Sequence, residues 1–407
     1  MNIKLLLSWV LLVCLCTAEV SGQFWNPEAG CVQDVNGECV PNTLLTAVPF
    51  LRIVPDARGG ALGDAGIATS ADPYSAHYNS SKLAFVQNDM EVSATFTPWL
   101  RNLGLTDVYL LYAGLYKRID DFQTFGANIR FFSLGDINFT DINGNSSGTG
   151  RPREFEIGMS YARKLTDNFS AGIGGKFIYS NLASGQQVGG IDISAGTAFA
   201  ADISATYISN PDLQGPGSSL SVGLSLTNIG SKITYTQSSE KEFIPANLGI
   251  GAAYLINLDD FNSVTFALDF NKLLVPTPIP VDHPDYDTDQ NGRPDYREKS
   301  TFAGVFGSFA DAPGGFSEEL KEFSTSFGVE YWYDQQFAVR AGYYYENPLK
   351  GARQYITVGV GLRYNVFGID ISYLAPTNVQ RSPLDNTLRF SFSFALGEGG
   401  LGGGGGN

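Results

Sequence analysis

The feature that most constrains this chain is an alternation of apolar and polar residues that recurs along its length without building a long apolar run. Leu388, Phe390, Phe392, Phe394 and Leu396 alternate with Thr387, Arg389, Ser391, Ser393 and Ala395. Phe155, Ile157, Met159 and Tyr161 alternate with Glu154, Glu156, Gly158 and Ser160. Leu220, Val222, Leu224 and Leu226 stand against Ser219, Ser221, Gly223 and Ser225, and Val92, Ala94 and Phe96 against Glu91, Ser93, Thr95 and Thr97. A period of two sends successive side chains to opposite faces of a strand. About fourteen such segments can be placed. They lie near 90–98, 106–117, 123–134, 153–164, 168–180, 193–208, 218–228, 247–257, 262–272, 323–333, 336–345, 353–364, 366–374 and 386–396.

Alternation suits a soluble sheet with one wet face, or a membrane barrel with lipid outside and a polar lumen. Composition separates the two. Charged residues make up 16% of the chain and aromatics 13%, whereas a soluble domain carries about 25% charged residues. After the leader, no stretch is apolar for the ~20 residues that a membrane helix needs. Connection lengths point the same way. Turns after the second, fourth, eighth, tenth and twelfth segments are tight, at Asp120–Asp121, Thr166–Asp167, Asp259–Asp260, Asp334–Gln335 and Asn365, and the one after the sixth is of middling length. Connections after most odd segments are long, near 135–152, 181–192, 229–246, 273–322 and 375–385. Short turns on one side and long loops on the other characterise outer-membrane barrels. Backbone groups in lipid all need partners, so the sheet must close. The expected fold is all-β, an antiparallel transmembrane β-barrel of about fourteen strands in an outer membrane. An even count predicts both termini on the periplasmic side. Tyr161, Tyr207, Tyr333, Tyr364 and Tyr373, near strand ends, suit interfacial girdles.

The ends read differently. Lys4 followed by the apolar run Leu5 to Leu15, with a cleavage point between Gly22 and Gln23, predicts a signal peptide over residues 1–22. Cys14 and Cys16 leave with it, so Cys31 and Cys39 are expected to form a disulfide. Residues 23–88 precede the barrel. Within them Ile53 to Phe85 is rich in Ala, Gly and Asp and does not alternate. Short helices that plug or cap the lumen are expected there. The barrel spans 89–396, and Gly397 to Asn407 reads as a flexible tail. A net charge of -15 argues against nucleic acid as a partner.

The sharpest local motif lies in the longest loop. Asp287, Asp289, Asn291, Gly292 and Glu298 match D-x-D-x-N-G-x₅-E without a gap. Alternate oxygens, a glycine at the sharp turn and a terminal glutamate are what calcium requires. Asp287, Asp289, Asn291 and Glu298 would ligate through side chains, Arg293 through its carbonyl, and Asp295 directly or through water. Pro294 departs from the usual pattern. Further on, Ser317 and the glutamates after it can cap a short helix, with a solvated turn as the plain reading. The chain has two histidines, His77 and His283, and neither lies on an alternating segment. No catalytic residues and no enzymatic activity are expected.

Several stretches carry a family resemblance. Phe50 to Gly66 (FLRIVPDARGGALGDAG), Ala71 to Asn79 (ADPYSAHYN), Lys82 to Phe85 (KLAF) and Arg340 to Glu346 (RAGYYYE) resemble the PorV family of the type IX secretion system. Where relatives place a proline after the asparagine, this chain has Ser80. The resemblance implies a fourteen-stranded barrel similar to the FadL-like long-chain fatty-acid transporter fold. It implies binding of secreted proteins through their C-terminal β-sandwich signal domain at a giant outer-membrane translocon barrel. It also implies their transfer to a surface attachment complex with a sortase-like protease. Outer-membrane lipid would surround the barrel. Two alternatives follow from the same kinship: a transporter of hydrophobic small molecules, and a lipopolysaccharide deacylase using His77 or His283 as base.

Overall fold

A computed structural model describes residues 23–396, apart from 27–28, 30, 35–36, 102–103, 141–143, 145, 189–190, 238–240 and 378–385. The expected leader at 1–22 and glycine-rich tail at 397–407 lie outside the described residues. Fourteen antiparallel strands close into one barrel. In chain order they are β1 Met90–Pro98, β2 Val108–Arg118, β3 Gln123–Leu134, β4 Arg153–Lys164, β5 Phe169–Asn181, β6 Gly196–Ile208 and β7 Gly217–Gly230. There follow β8 Asn247–Asn257, β9 Asn262–Leu273, β10 Phe323–Tyr333, β11 Phe337–Tyr345, β12 Gln354–Tyr364, β13 Phe367–Pro376 and β14 Leu388–Leu396. Each strand pairs with its neighbours in sequence, and β14 closes on β1 from Phe390 opposite Phe96 to Leu396 opposite Met90. Every ladder is thereby satisfied without a free edge.

The two faces are inverted relative to a soluble sheet. Met159, Phe199 and Ile173 point outward and are 71%, 68% and 59% exposed. Arg130, Glu156, Lys176, Asp202, Asp269, Glu330, Arg340 and Arg389 point inward and are buried. Water would penalise the first face and reward exposure of the second, whereas lipid outside and a packed polar interior suit both. The tyrosines Tyr333 and Tyr364, at the ends of β10 and β12, remain exposed.

The tight turns are built by their own side chains. Asp120 Oδ1 accepts the Phe122 N–H at 2.8 Å, and Asp259 Oδ1 accepts the Phe261 and Asn262 N–H groups at 2.8 and 2.7 Å. Such bonds replace a backbone turn closure. They hold both exposed carboxyls below the usual range, the backbone bonds from Phe122 and Phe261 being the main causes.

Ahead of β1, a segment with short helical turns at Pro49–Arg52, Ala57–Ala61, Ser75–Tyr78 and Ser80–Phe85 reaches the inward faces of all fourteen strands through these turns and the residues between them. Hydrogen bonds reach Thr95 on β1, Arg130 on β3, Ser170 on β5, Thr206 on β6, Asp269 on β9, Glu330 on β10, Thr357 on β12 and Ser391 on β14. Pro73 lies on Gly114 of β2, and Ile67 lies on Gly223 of β7 and Gly251 of β8. Leu62 and Gly63 lie on Gly342 of β11. Leu83 clusters with Ala162 of β4, and the turn Ala57–Ala61 packs on β13. The closest approach needs glycine on both sides. A Cβ on Gly342 would come within 2.1 Å of the Gly63 nitrogen, and Gly63 itself has φ +66°. Ser80, where relatives carry proline, still follows a turn. Asn79 Oδ1 accepts the Ser81 N–H at 3.1 Å, and Ser80 Oγ lies 3.0 Å from Ser204 Oγ.

Strand parity places the two ends of the barrel chain at one mouth, as Met90 opposite Leu396 shows. Ahead of the barrel, the chain at residues 42–47 meets connections at the opposite mouth. Asn42 N–H donates to Leu349 O at 2.8 Å and Ala47 N–H to Phe243 O at 2.9 Å. Leu349 and Phe243 lie in connections after the odd strands β11 and β7, on the long-loop side. Parity describes strands only, and residues 23–86 form no barrel strand.

Candidate functional site

Polar side chains gather in the lumen and at its long-loop mouth, and three of these clusters bear on function. In the lumen, Arg58 grips Glu330 with two bonds, Nε to Oε2 at 2.8 Å and Nη2 to Oε1 at 2.7 Å. Glu330 also accepts Arg340 Nε at 2.6 Å, and Arg340 Nη1 donates to Asp370 Oδ1 at 2.8 Å. Arg363 completes the chain on Asp370 Oδ2 at 2.7 Å. Forked guanidinium–carboxylate geometry is the strong form of such pairing. It ties the pre-barrel segment to β10, β11 and β13.

A second cluster lies at the long-loop mouth. The helix Phe316–Lys321 starts at Gly315 with no side-chain cap, so Ser317 is not the cap that its spacing suggested. Ser317 Oγ instead donates to Gly314 O at 3.4 Å. The turn is solvated on one face alone, because Glu318, Glu319 and Glu322 are buried while Phe316 and Leu320 are exposed. Glu319 accepts Lys272 Nζ at 2.9 Å, and Glu322 accepts Lys350 Nζ at 3.0 Å and Thr277 Oγ1 at 2.7 Å. Lys272 also reaches Glu322, and Lys350 reaches Glu318. Asn42 Nδ2 donates to Glu318 Oε1 at 3.2 Å and to Pro278 O at 3.1 Å. The spacing of Glu318, Glu319 and Glu322 was visible in the sequence. Their partners Lys272, Lys350 and Asn42, far away along the chain, were not.

The third cluster is the acidic motif. Asp287, Asp289 and Asp295 offer carboxylate oxygens within 4.8 Å of one another. Asp287 accepts the Asn291 N–H at 3.0 Å and the Gly292 N–H at 2.9 Å, and Asp289 accepts the Asn291 amide at 2.9 Å. Glu298 meets the group through that same amide, at 3.1 Å. Arg293 N–H donates to Asn291 Oδ1 at 2.8 Å. Gly292 adopts φ +81° at the sharp turn. The donor set is all oxygen and strongly negative, which fits a hard cation. Lys232 anchors the end of the motif, donating to the carbonyls of Arg297 and Lys299. Burial lowers the Lys232 ammonium pKa, while Glu242 and Glu298 oppose that shift.

Near the N-terminus, the Cys31 and Cys39 sulfurs are bonded, with Cα atoms 5.8 Å apart. His77 is committed to packing. Its Nδ1 lies 2.7 Å from Arg130 Nη2, and a guanidinium only donates, so the imidazole accepts there. His283 Nδ1 accepts the Asp285 N–H at 3.2 Å. Neither contact is a serine hydroxyl of the kind a nucleophilic triad needs. A cavity of about 420 Å³ opens at the long-loop mouth, lined by Leu45, Val48, Phe132, Leu134, Leu182 and Tyr235 among others.

The profile of the family described as type IX secretion system protein PorV matches residues 37–280. No curated protein sequence matches the chain. Among solved structures, a TodX monoaromatic hydrocarbon channel lacking S2 and S3 aligns at 12% identity and a TM-score of 0.51. That alignment covers 84% of this chain and 98% of that one. The toluene transporter TbuX of Ralstonia pickettii aligns at 12% identity over 84% of this chain and 98% of its own, with a TM-score of 0.47. A Pseudomonas aeruginosa FadL homologue aligns at 11% identity over 88% and 100%, with a TM-score of 0.43. The barrel and its inverted faces place the chain in the outer membrane, and the profile covers more than half of its 407 residues. The chain belongs to the PorV family of type IX secretion system proteins.

Proposed function

We propose that this barrel binds secreted proteins by their C-terminal β-sandwich signal domain at the giant translocon barrel and passes them to the sortase-like attachment complex. The observation that carries the reading is the occupied lumen. A segment that touches all fourteen strands supports a secretion role played at the outer surface rather than as a conduit for polypeptide. We take that segment to act as a plug. The long loops would face outward, as in other outer-membrane barrels, with the C-terminal end of β14 on the periplasmic side. The loop helices Thr301–Gly307 and Phe316–Lys321 expose Phe302, Phe306, Phe316 and Leu320, and such patches suit protein docking. Calcium at Asp287, Asp289, Asn291, Arg293, Asp295 and Glu298 would order the loop that carries them. On this reading the protein catalyses no reaction. A strain lacking the chain should retain cargo in the periplasm; normal secretion and anchoring there would refute the role.

A second reading, transport of a hydrophobic small molecule, is favoured by the apolar cavity beside Leu45 and Phe132. A site of that size suits a small ligand. It needs a route past the pre-barrel segment, and uptake of a labelled hydrocarbon by cells carrying the barrel tests for one.

A further inference from the structure

We infer that the chain ahead of the barrel is threaded through it from mouth to mouth, so that the disulfide hairpin at its start is displayed on the outer face of the membrane. The outer position rests on the orientation proposed above; the threading does not. At the long-loop mouth the segment is held at Asn42 by Leu349, Pro278 and Glu318, and at Ala47 by Phe243. At the opposite mouth, Asp89 O accepts the Arg118 N–H at 2.8 Å at the end of β2. There too, Lys164, the last residue of β4, lies 5.4 Å from the centre of the Phe85 ring. Between these anchors most of the segment is buried, from Phe50 and Leu51 at one end to Leu83 and Ala84 at the other.

The hairpin sits just beyond the upper anchor. Gln23–Asn26 pairs with Cys31–Asp34, Cys31 is bonded to Cys39, and the Val40 N–H donates to Val32 O at 2.8 Å. Only one residue then separates Val40 from Asn42. A cross-linked hairpin is wider than an extended chain, and the lumen below it is already packed. Withdrawal toward the periplasm is therefore blocked at the top by the hairpin, while the covalent junction with β1 blocks withdrawal at the bottom. The segment is a strap fixed at both ends, not a removable gate.

Epitope tags on the full chain test this, one placed ahead of Gln23, one in the long loop at Val281 and one after Asn407. Intact cells should bind antibody at the first two tags and need permeabilising for the third. A specific protease site inserted beside Gly37 gives a second reading that leaves the N-terminus unaltered, and it should be cut on intact cells. An N-terminal tag that labels only after permeabilising, like the C-terminal tag and unlike the loop tag, would overturn the threading. Labelling of the C-terminal tag alone on intact cells would keep the threading and overturn the outward orientation.

Discussion

Arg58 and Glu330 meet through two parallel hydrogen bonds, 2.8 and 2.7 Å long, across 272 residues of chain. This pair joins the segment inside the lumen to the barrel wall. Removing one partner of a buried pair leaves an uncompensated charge, at a cost of about 3–5 kcal/mol. Glu330 also holds Arg340, so Glu330→Ala takes a carboxylate from two guanidiniums, which keep Asp72 and Asp370, whereas Arg58→Ala leaves Glu330 its bond from Arg340. Heat-modified gel mobility should therefore show a lower unfolding temperature for both variants, with Glu330→Ala the less stable. Equal stability of Glu330→Ala and the native chain would contradict the account.

The cluster at the long-loop mouth predicts a local effect. Lys272 and Lys350 are shared among Glu318, Glu319 and Glu322, all buried. Replacing both lysines with methionine leaves three carboxylates without counter-charge, at several kcal/mol each by order of magnitude. The helix Phe316–Lys321 should detach while the strands remain paired. Limited proteolysis of intact cells should then cut within 310–322 in the double variant and not in the native protein, with heat-modifiable mobility retained.

Calcium binding to the Asp287–Glu298 loop is expected to be weak, on the order of 10⁻⁴–10⁻³ M as in other extracellular modules. Asp287→Asn removes a charged ligand that also accepts the Asn291 and Gly292 N–H groups. Isothermal titration of the purified barrel should show saturable heat in the native protein and a loss of affinity of about tenfold or more in the variant. Identical titrations would remove calcium from the account.

The tight turn after β8 should be pH-sensitive. Bonds from Phe261 and Asn262 depress the Asp259 carboxyl. A depressed folded-state value means that stabilisation is present above the unfolded value, about 3.9, and is lost as pH falls through the folded one. Refolding yield of the native chain should exceed that of Asp259→Ala at pH 7, and the difference should shrink as pH falls beneath the unfolded value.

The barrel was legible because lipid acts on each residue alone. Leu388 to Leu396 and Phe155 to Tyr161 must each show apolar side chains outward, so every strand announces itself locally. Within the described residues, the fourteen segments coincide with the fourteen strands to within a few residues. The path of residues 42–86 had no such signal. Its anchors are single polar contacts such as Asn79 to Thr206 and Gly66 to Asp269. In each case one partner lies far along the sequence and looks like any lumen-facing residue. Glu318, Glu319 and Glu322 read as a solvated turn for the same reason, since nothing near them in the sequence names Lys272 or Lys350. The acidic motif was legible by its spacing, and the fold gathers Asp287, Asp289 and Asp295 while leaving Glu298 to meet them through Asn291.

The central claim is that a barrel with a filled lumen serves secretion by holding cargo on its outer loops. The most direct measurement is capture of an isolated cargo C-terminal β-sandwich domain by the purified, detergent-solubilised barrel. It should be made with and without calcium and repeated on a barrel shortened within 281–312. The account predicts saturable binding by the native barrel and loss of binding on shortening the loop, with heat-modifiable mobility unchanged. Absence of binding by the folded native barrel, or equal binding by the shortened one, would contradict it.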